Sequence, residues 1–174
     1  MTQTAAEFLA ELAKSKEYQA TQEAKRIEVA RLAKIYDADE KELVQELNEA
    51  GFDVQSVWDF VNTKEDYLGA EKILVKHLKQ KHHPRIQSGV VRSLMVAEFS
   101  ENDELWDLLI EMYAHTPSDE AIEVPEERGL QQAIAFTLEC LAKPSRVDSL
   151  IRLVSRKPDG DAVSFLEETV LRLS

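Results

Sequence analysis

The groups in this sequence best suited to chemistry are four histidines: His77, His82 and His83 close together, and His115 further along. Imidazoles at that density are candidate metal ligands, yet neither a His-Glu-x-x-His nor a Cys-x-x-Cys spacing occurs. The first three fall at the end of a helical pattern and in the turn after it, where a solvated histidine suits the negative end of the helix dipole. From spacing alone we expect no metal site and no cofactor. Cys140, the single cysteine, sits between Glu139 and Leu141 and is expected to pack as a small hydrophobe rather than act as a nucleophile. With 33 acidic residues, neighbours such as Asp103 and Glu104 arise by chance, and no pattern singles out a carboxyl with a raised pKa. No glycine-rich phosphate loop or nucleophile elbow is present. The expectation is a protein without catalytic activity.

Charge points instead to binding. The net charge is −12, and its distribution is uneven: Glu98–Glu127 holds 11 acids and no Lys or Arg, whereas Lys64–Arg92 carries an excess of four positive charges. An acidic chain is poorly suited to a phosphate backbone, which is gripped by clustered Lys and Arg, so direct nucleic-acid binding is not expected and a basic partner is. Glu98, Glu101, Asp103, Glu104, Asp107 and Glu111 have a local reason, since they lie at the start and outer face of a helix. The following stretch, residues 116–127, reads TPSDEAIEVPEE and is longer than a turn between helices needs. Within it Asp119, Glu120, Glu123, Glu126 and Glu127 surround Ile122 and Val124. Acids there would speed encounter with a basic surface, and the two apolar side chains would slow release. Arg85 and Arg92, seven apart, are expected mainly to clamp acids of their own or the next helical pair.

These residues must be positioned by helices, because apolar residues recur at three- and four-residue spacing and no segment alternates long enough for a half-buried strand. Gly51 stops one apolar run, and Pro84, Pro125, Pro144 and Pro158 each precede a new one. From Thr4 to Tyr36, Phe8, Leu9 and Leu12 mark one stripe and Val29, Leu32, Ala33 and Tyr36 another. The thinly apolar stretch between them allows either two helices or one long exposed one. Asp39 with Glu42 predicts a capped helix to about Ala50, and Asp53 a short one holding Val54, Val57, Trp58 and Val61. Both Trp58 and Trp106 are expected in the core. Three further hairpins align. Ile73 and Leu74 correspond to Leu108 and Leu109 and to Leu150 and Ile151; Ile86, Val90 and Leu94 correspond to Leu130, Ile134 and Leu138, echoed by Val163, Leu166 and Leu171. Two-helix units repeating every 35 to 45 residues or so predict a HEAT or armadillo-type α-solenoid. We expect about four hairpins over 39–174, preceded by a helical extension over 1–38.

Three runs carry a more specific likeness: GFDVQSVWDFVNT (51–63), YLGAEKILVKHL (67–78) and RIQSGVVRSL (85–94). They resemble a family of small bacterial HEAT-like helical-repeat proteins over about Leu43–Leu173. Leu68 and Val75 stand where the family pattern has proline, and the stretch 160–163 where it is more basic. The resemblance implies a fold and assigns no reaction.

Taken together, size, localised negative charge and helical repeats point to a protein-binding module. The reading favoured is an immunity or antitoxin-type protein that occludes the cationic active site of a basic toxin domain, such as a nuclease. An adaptor binding a peptide or helix in the solenoid groove is the alternative, using the second-helix ridge with Arg92, Phe136 and Thr169. With no signal-like N-terminus and no apolar run of spanning length, the chain is expected in the cytoplasm.

Overall fold

The computed structural model describes residues 15–174, and the secondary structure of those residues is helical, with no strand among them. The expected apolar stripe of Phe8, Leu9 and Leu12 lies outside them. The chain divides into two compact units, 1–38 and 39–174. The described part of the first is one long helix, α1 (Lys16–Asp39), which buries none of its residues and leaves Ile27 and Val29 largely exposed. Its Ala, Lys and Glu content favours a helix by propensity, aided by Glu28, which accepts two hydrogen bonds from Arg31 one turn on.

The second unit contains α2 (Lys41–Glu49), α3 (Trp58–Asn62), α4 (Glu71–Leu78), α5 (Pro84–Ser93), α6 (Asp103–His115), α7 (Leu130–Leu141), α8 (Val147–Arg156) and α9 (Val163–Leu173). Their packing follows a rule. Each of α5, α7 and α9 packs on the helix before it, and α3, α5, α7 and α9 pack successively on one another. In the other series α2 packs on α4 and α6 on α8. Leu43, Leu47, Leu74, Leu78, Ile86, Val90, Leu94, Leu105, Leu109, Ile134, Leu138, Leu150 and Leu166 fill the space between, all buried. Each contributes on the order of 1.5–3 kcal/mol relative to exposure.

Helix boundaries follow the local chemistry, with two corrections. α2 ends at Gly51 (φ 96°), where Phe52 N–H bonds Leu47 O and Gly51 N–H bonds Asn48 O, the αL stop expected there. Its start differs from the predicted Asp39 and Glu42 box. Glu40 precedes α2 and sends its carboxylate to Val57 N–H (2.9 Å) and the Ser56 hydroxyl (3.0 Å), while Asp39 turns to the loop after α4. The cap before α3 comes from Asp59, accepting from Gln55 and Ser56 N–H, rather than from Asp53. At the other end of the unit Ile151 and Leu171 are exposed, because α8 and α9 close the series and no further helix among the described residues covers them.

Backbone hydrogen bonding repeats with the apolar pattern. Gln87 in α5 and Gln131 in α7, the residues following the aligned Ile86 and Leu130, are both buried. Gln87 Nε2 donates to Leu78 O at the end of α4 (2.9 Å); Gln131 Nε2 donates to Tyr113 O (3.1 Å) and Thr116 O (2.6 Å) at the end of α6. Helix C-termini carry carbonyls without intrahelical partners, and these glutamines satisfy some of them inside the core. Ser93 and Thr137 are likewise equivalent. Each hydroxyl bonds the carbonyl four residues back and one from the preceding second helix or its N-cap, Val57 O (3.1 Å) and Val91 O (3.1 Å). Close approach of α5 to α3 requires Gly89, where a Cβ would lie 2.7 Å from Val57 Cγ1 and 2.9 Å from Trp58 Nε1.

Candidate functional site

Residues 116–129 join α6 to α7 and contain two short 3₁₀ turns, Asp119–Ala121 and Pro125–Glu127. Internal bonds hold this loop. Asp119 accepts from Gly129 N–H (2.6 Å) and its own N–H donates to Asp161 (2.7 Å), while the Arg128 guanidinium donates twice to Ile122 O (3.0 and 2.8 Å). The Lys157 ammonium reaches the carbonyls of Tyr113 and Thr116 beside it. Of the acids singled out in the sequence, Asp119 therefore closes the loop. Glu120, Glu123 and Glu126 are exposed and Glu127 is half-buried, and none of the four has an ion-pair partner among the described residues. Val124 is 46% exposed among them, and Ile122 is half-buried.

The acids on α6 and just before it are used differently. Glu101 pairs with Lys143, Glu104 with Lys79 and Glu111 with His115. Asp103 accepts from Arg146 Nη2 (2.7 Å), a hydrogen bond that holds its carboxyl below the ordinary range. Arg146 is buried, donates also to Leu141 O and stacks over Trp106 (4.7 Å). Arg146 is thus a buried arginine that clamps an acid of another helix, and the sequence pattern did not mark it. Arg85 instead lies over the Trp58 ring (3.9 Å), and Arg92 is half-buried without a carboxylate partner among the described residues. Arg92 and Phe136 occupy equivalent positions on the packed helices α5 and α7, with Phe136 edge-on to Phe165 (5.0 Å). Thr169 is buried, its hydroxyl bonded to Phe165 O, and offers no surface to a groove partner.

A third constellation was missed by reasoning from spacing. Asp39 Oδ2 accepts from His83 N–H (3.1 Å) and lies 3.0 Å from His82 Nδ1; His82 Nε2 lies 3.2 Å from His77 Nδ1. A carboxylate only accepts, so His82 donates from Nδ1 to Asp39, and the facing ring nitrogens of His82 and His77 share one hydrogen bond. His77 Nε2 is the free end of this chain. That atom is fully buried and has no hydrogen-bond partner among the described residues, although Glu46 Oε2 lies only 3.5 Å away. Burial pushes the His77 imidazole below its ordinary pKa, against the opposing pull of Glu46. Glu42 and Glu46, one turn apart on α2, and His77 on α4 place one potential ligand atom each within 4.8 Å of one another. The Lys76 ammonium bonds Glu46 Oε1, which lowers the Glu46 pKa, and lies 3.8 Å from Glu42. Only the packing of α2 on α4 unites these groups; the histidine spacing that the sequence offers is a different one.

Among the described residues no helix is long and apolar enough to cross a membrane. In comparisons with family models, curated proteins and solved structures, nothing matches this chain.

Proposed function

We propose that this chain is a non-catalytic, HEAT-like helical-repeat protein that binds a basic protein domain, as an immunity or antitoxin protein does when it covers the cationic active site of a toxin such as a nuclease. The carrying observation is the loop of residues 116–129: four carboxylates without an ion-pair partner among the described residues flank a half-exposed valine on a backbone held by its own hydrogen bonds. A preorganised acidic surface loses little entropy on binding, and its charges accelerate encounter with a cationic partner. The apolar Val124 supplies contact area that a purely solvated loop would not need. No covalent step is required, only occlusion of the partner's cleft and competition for its Lys and Arg side chains, and the site of action is the cytoplasm. The successive packing of α3, α5, α7 and α9 supports the solenoid reading.

A groove-binding adaptor is the second reading, favoured by Arg92, half-buried and without an ion-pair partner among the described residues, on the helix α5 that packs against the α7 helix bearing Phe136, itself edge-on to Phe165. The two are separated by tagged capture from the source organism with low-salt and high-salt washes. A basic protein retained at one-to-one ratio by the wild type, released by salt and lost when Glu120, Glu123, Glu126 and Glu127 are all changed to Gln supports the first. Retention by that variant with loss on Arg92→Ala moves the site to the groove.

A further inference from the structure

We propose that Glu42, Glu46 and His77 form a binding site for one divalent transition-metal cation of the Zn²⁺ class, with His82 and Asp39 as its positioning residues. The first argument is the buried ring nitrogen. His82 and Asp39 occupy the Nδ1 side of the His77 ring, while Nε2, fully buried and without a hydrogen-bond partner among the described residues, faces the Glu46 carboxylate at 3.5 Å. A cation shared with that carboxylate would satisfy the nitrogen where it lies. The second argument is distance. A tetrahedral ion with bonds of about 2.0–2.1 Å sets its ligand atoms roughly 3.3 Å apart, so 3.5 Å suits two ligands on one ion. Glu42 completes the set by a change of rotamer, because its side chain is exposed and its ligand atom lies within 4.8 Å of the others.

The third argument is the outer shell. A metal-bound histidine characteristically donates its second ring N–H to an acceptor that fixes its tautomer and raises its basicity; the His77, His82 and Asp39 chain is that arrangement. An imidazole with two carboxylates favours Zn²⁺, Fe²⁺ or Mn²⁺ over the all-oxygen coordination of Mg²⁺ or Ca²⁺. Lys76 is the built-in competitor. Its ammonium neutralises Glu46 and approaches Glu42, and being half exposed it can swing into solvent when the ion arrives. Metal binding thus ties α2 to α4 by coordination where Lys76 now ties them by charge.

The test is titration of the untagged full-length chain with Zn²⁺ in competition with a chromophoric chelator, repeated with Co²⁺ for its visible spectrum. One ion per chain is expected, with Glu42→Gln and Glu46→Gln each weakening binding about tenfold or more and His82→Ala weakening it about 10–100-fold. Lys76→Met should tighten binding by about tenfold, because it removes the rival cation from Glu46. That gain distinguishes the site from a purely structural ion cluster, for which losing the lysine brings no ligand. His115→Ala, which removes the exposed pair with Glu111, should change nothing. The proposal is overturned if neither the wild type nor Lys76→Met binds Zn²⁺, or if binding ignores both glutamate substitutions. Glu42 and Lys76 are surface residues, so their variants fold even where a His77 substitution does not.

Discussion

Two loops occupy equivalent places in successive hairpins and do opposite things. Residues 79–83, between α4 and α5, are short and folded inward: His82 and His83 turn to Asp39, and Gln87 spans from His82 N–H to Leu78 O. Residues 116–129, between α6 and α7, are long and face water, yet the equivalent Gln131 performs the same service, spanning from Tyr113 O and Thr116 O to Asp161 N–H. A conserved geometry at the helix ends therefore leaves loop length free to vary. The core sees only the glutamine, and the extra residues of the longer loop are available for a surface role.

The largest test of this comparison is to remove each glutamine. Gln131→Leu removes three buried hydrogen bonds, leaving Asp161 N–H without its acceptor and the Tyr113 and Thr116 carbonyls to Lys157 alone, and should cost about 2–4 kcal/mol in denaturant unfolding. Gln87→Leu strands one carbonyl and one weakly bonded N–H, and should cost about 1–3 kcal/mol. Equal losses would mean that the longer loop places no greater demand on its clamp. Next in size is Gly89→Ala, which pushes a methyl group into Val57 and Trp58 where α5 meets α3. Overpacking there should cost about 1–3 kcal/mol, read as a shift in denaturant midpoint at unchanged slope.

The pH dependence separates the loops further. Burial holds His77 below the ordinary histidine pKa of 6.5, so unfolding takes up a proton and stability falls as pH drops below about 6.5. Glu42, Glu46, Lys76 and His82 face the imidazole, and the attraction of the two carboxylates only partly offsets burial. Chemical denaturation at pH 7.5 and 5.5 should show this loss in the wild type and a smaller one in His77→Gln; equal losses would place the titration elsewhere. The smallest effect on stability is expected in the long loop. Changing Glu120, Glu123, Glu126 and Glu127 together to Gln should move the unfolding free energy by no more than about 0.5 kcal/mol per site, because none holds an internal partner. A cooperative loss much larger than that would make the loop's charges part of the fold instead of its surface.

Much of the architecture was legible in the sequence because helical periodicity is local. Leu74, Leu109 and Leu150 were marked by their spacing and are buried, as are Ile86, Val90, Leu94, Ile134 and Leu138. The αL stop at Gly51 and the proline start of α5 were equally legible, since each depends on one residue's backbone preference. Ile151 and Leu171 show the limit of the method. They fit the same stripe, but a stripe identifies a sticky face and not whether a neighbour arrives to cover it.

What the sequence determined by itself is an all-helical chain, the approximate place of its helices and the concentration of acid between Glu98 and Glu127. Tertiary structure alone decided what those acids do: Asp103, bonded to Arg146 from 43 residues away, and Asp119, bonded to Asp161 from 42 away, became internal ties, whereas Glu120 and Glu123 stayed with solvent. It also decided that His77 meets Glu46 rather than its sequence neighbour His83. The physical reason is that helix propensity and amphipathic period act over a few residues, while a hydrogen bond or a coordination site depends on atoms brought to within about 3 Å by packing between helices remote in the chain.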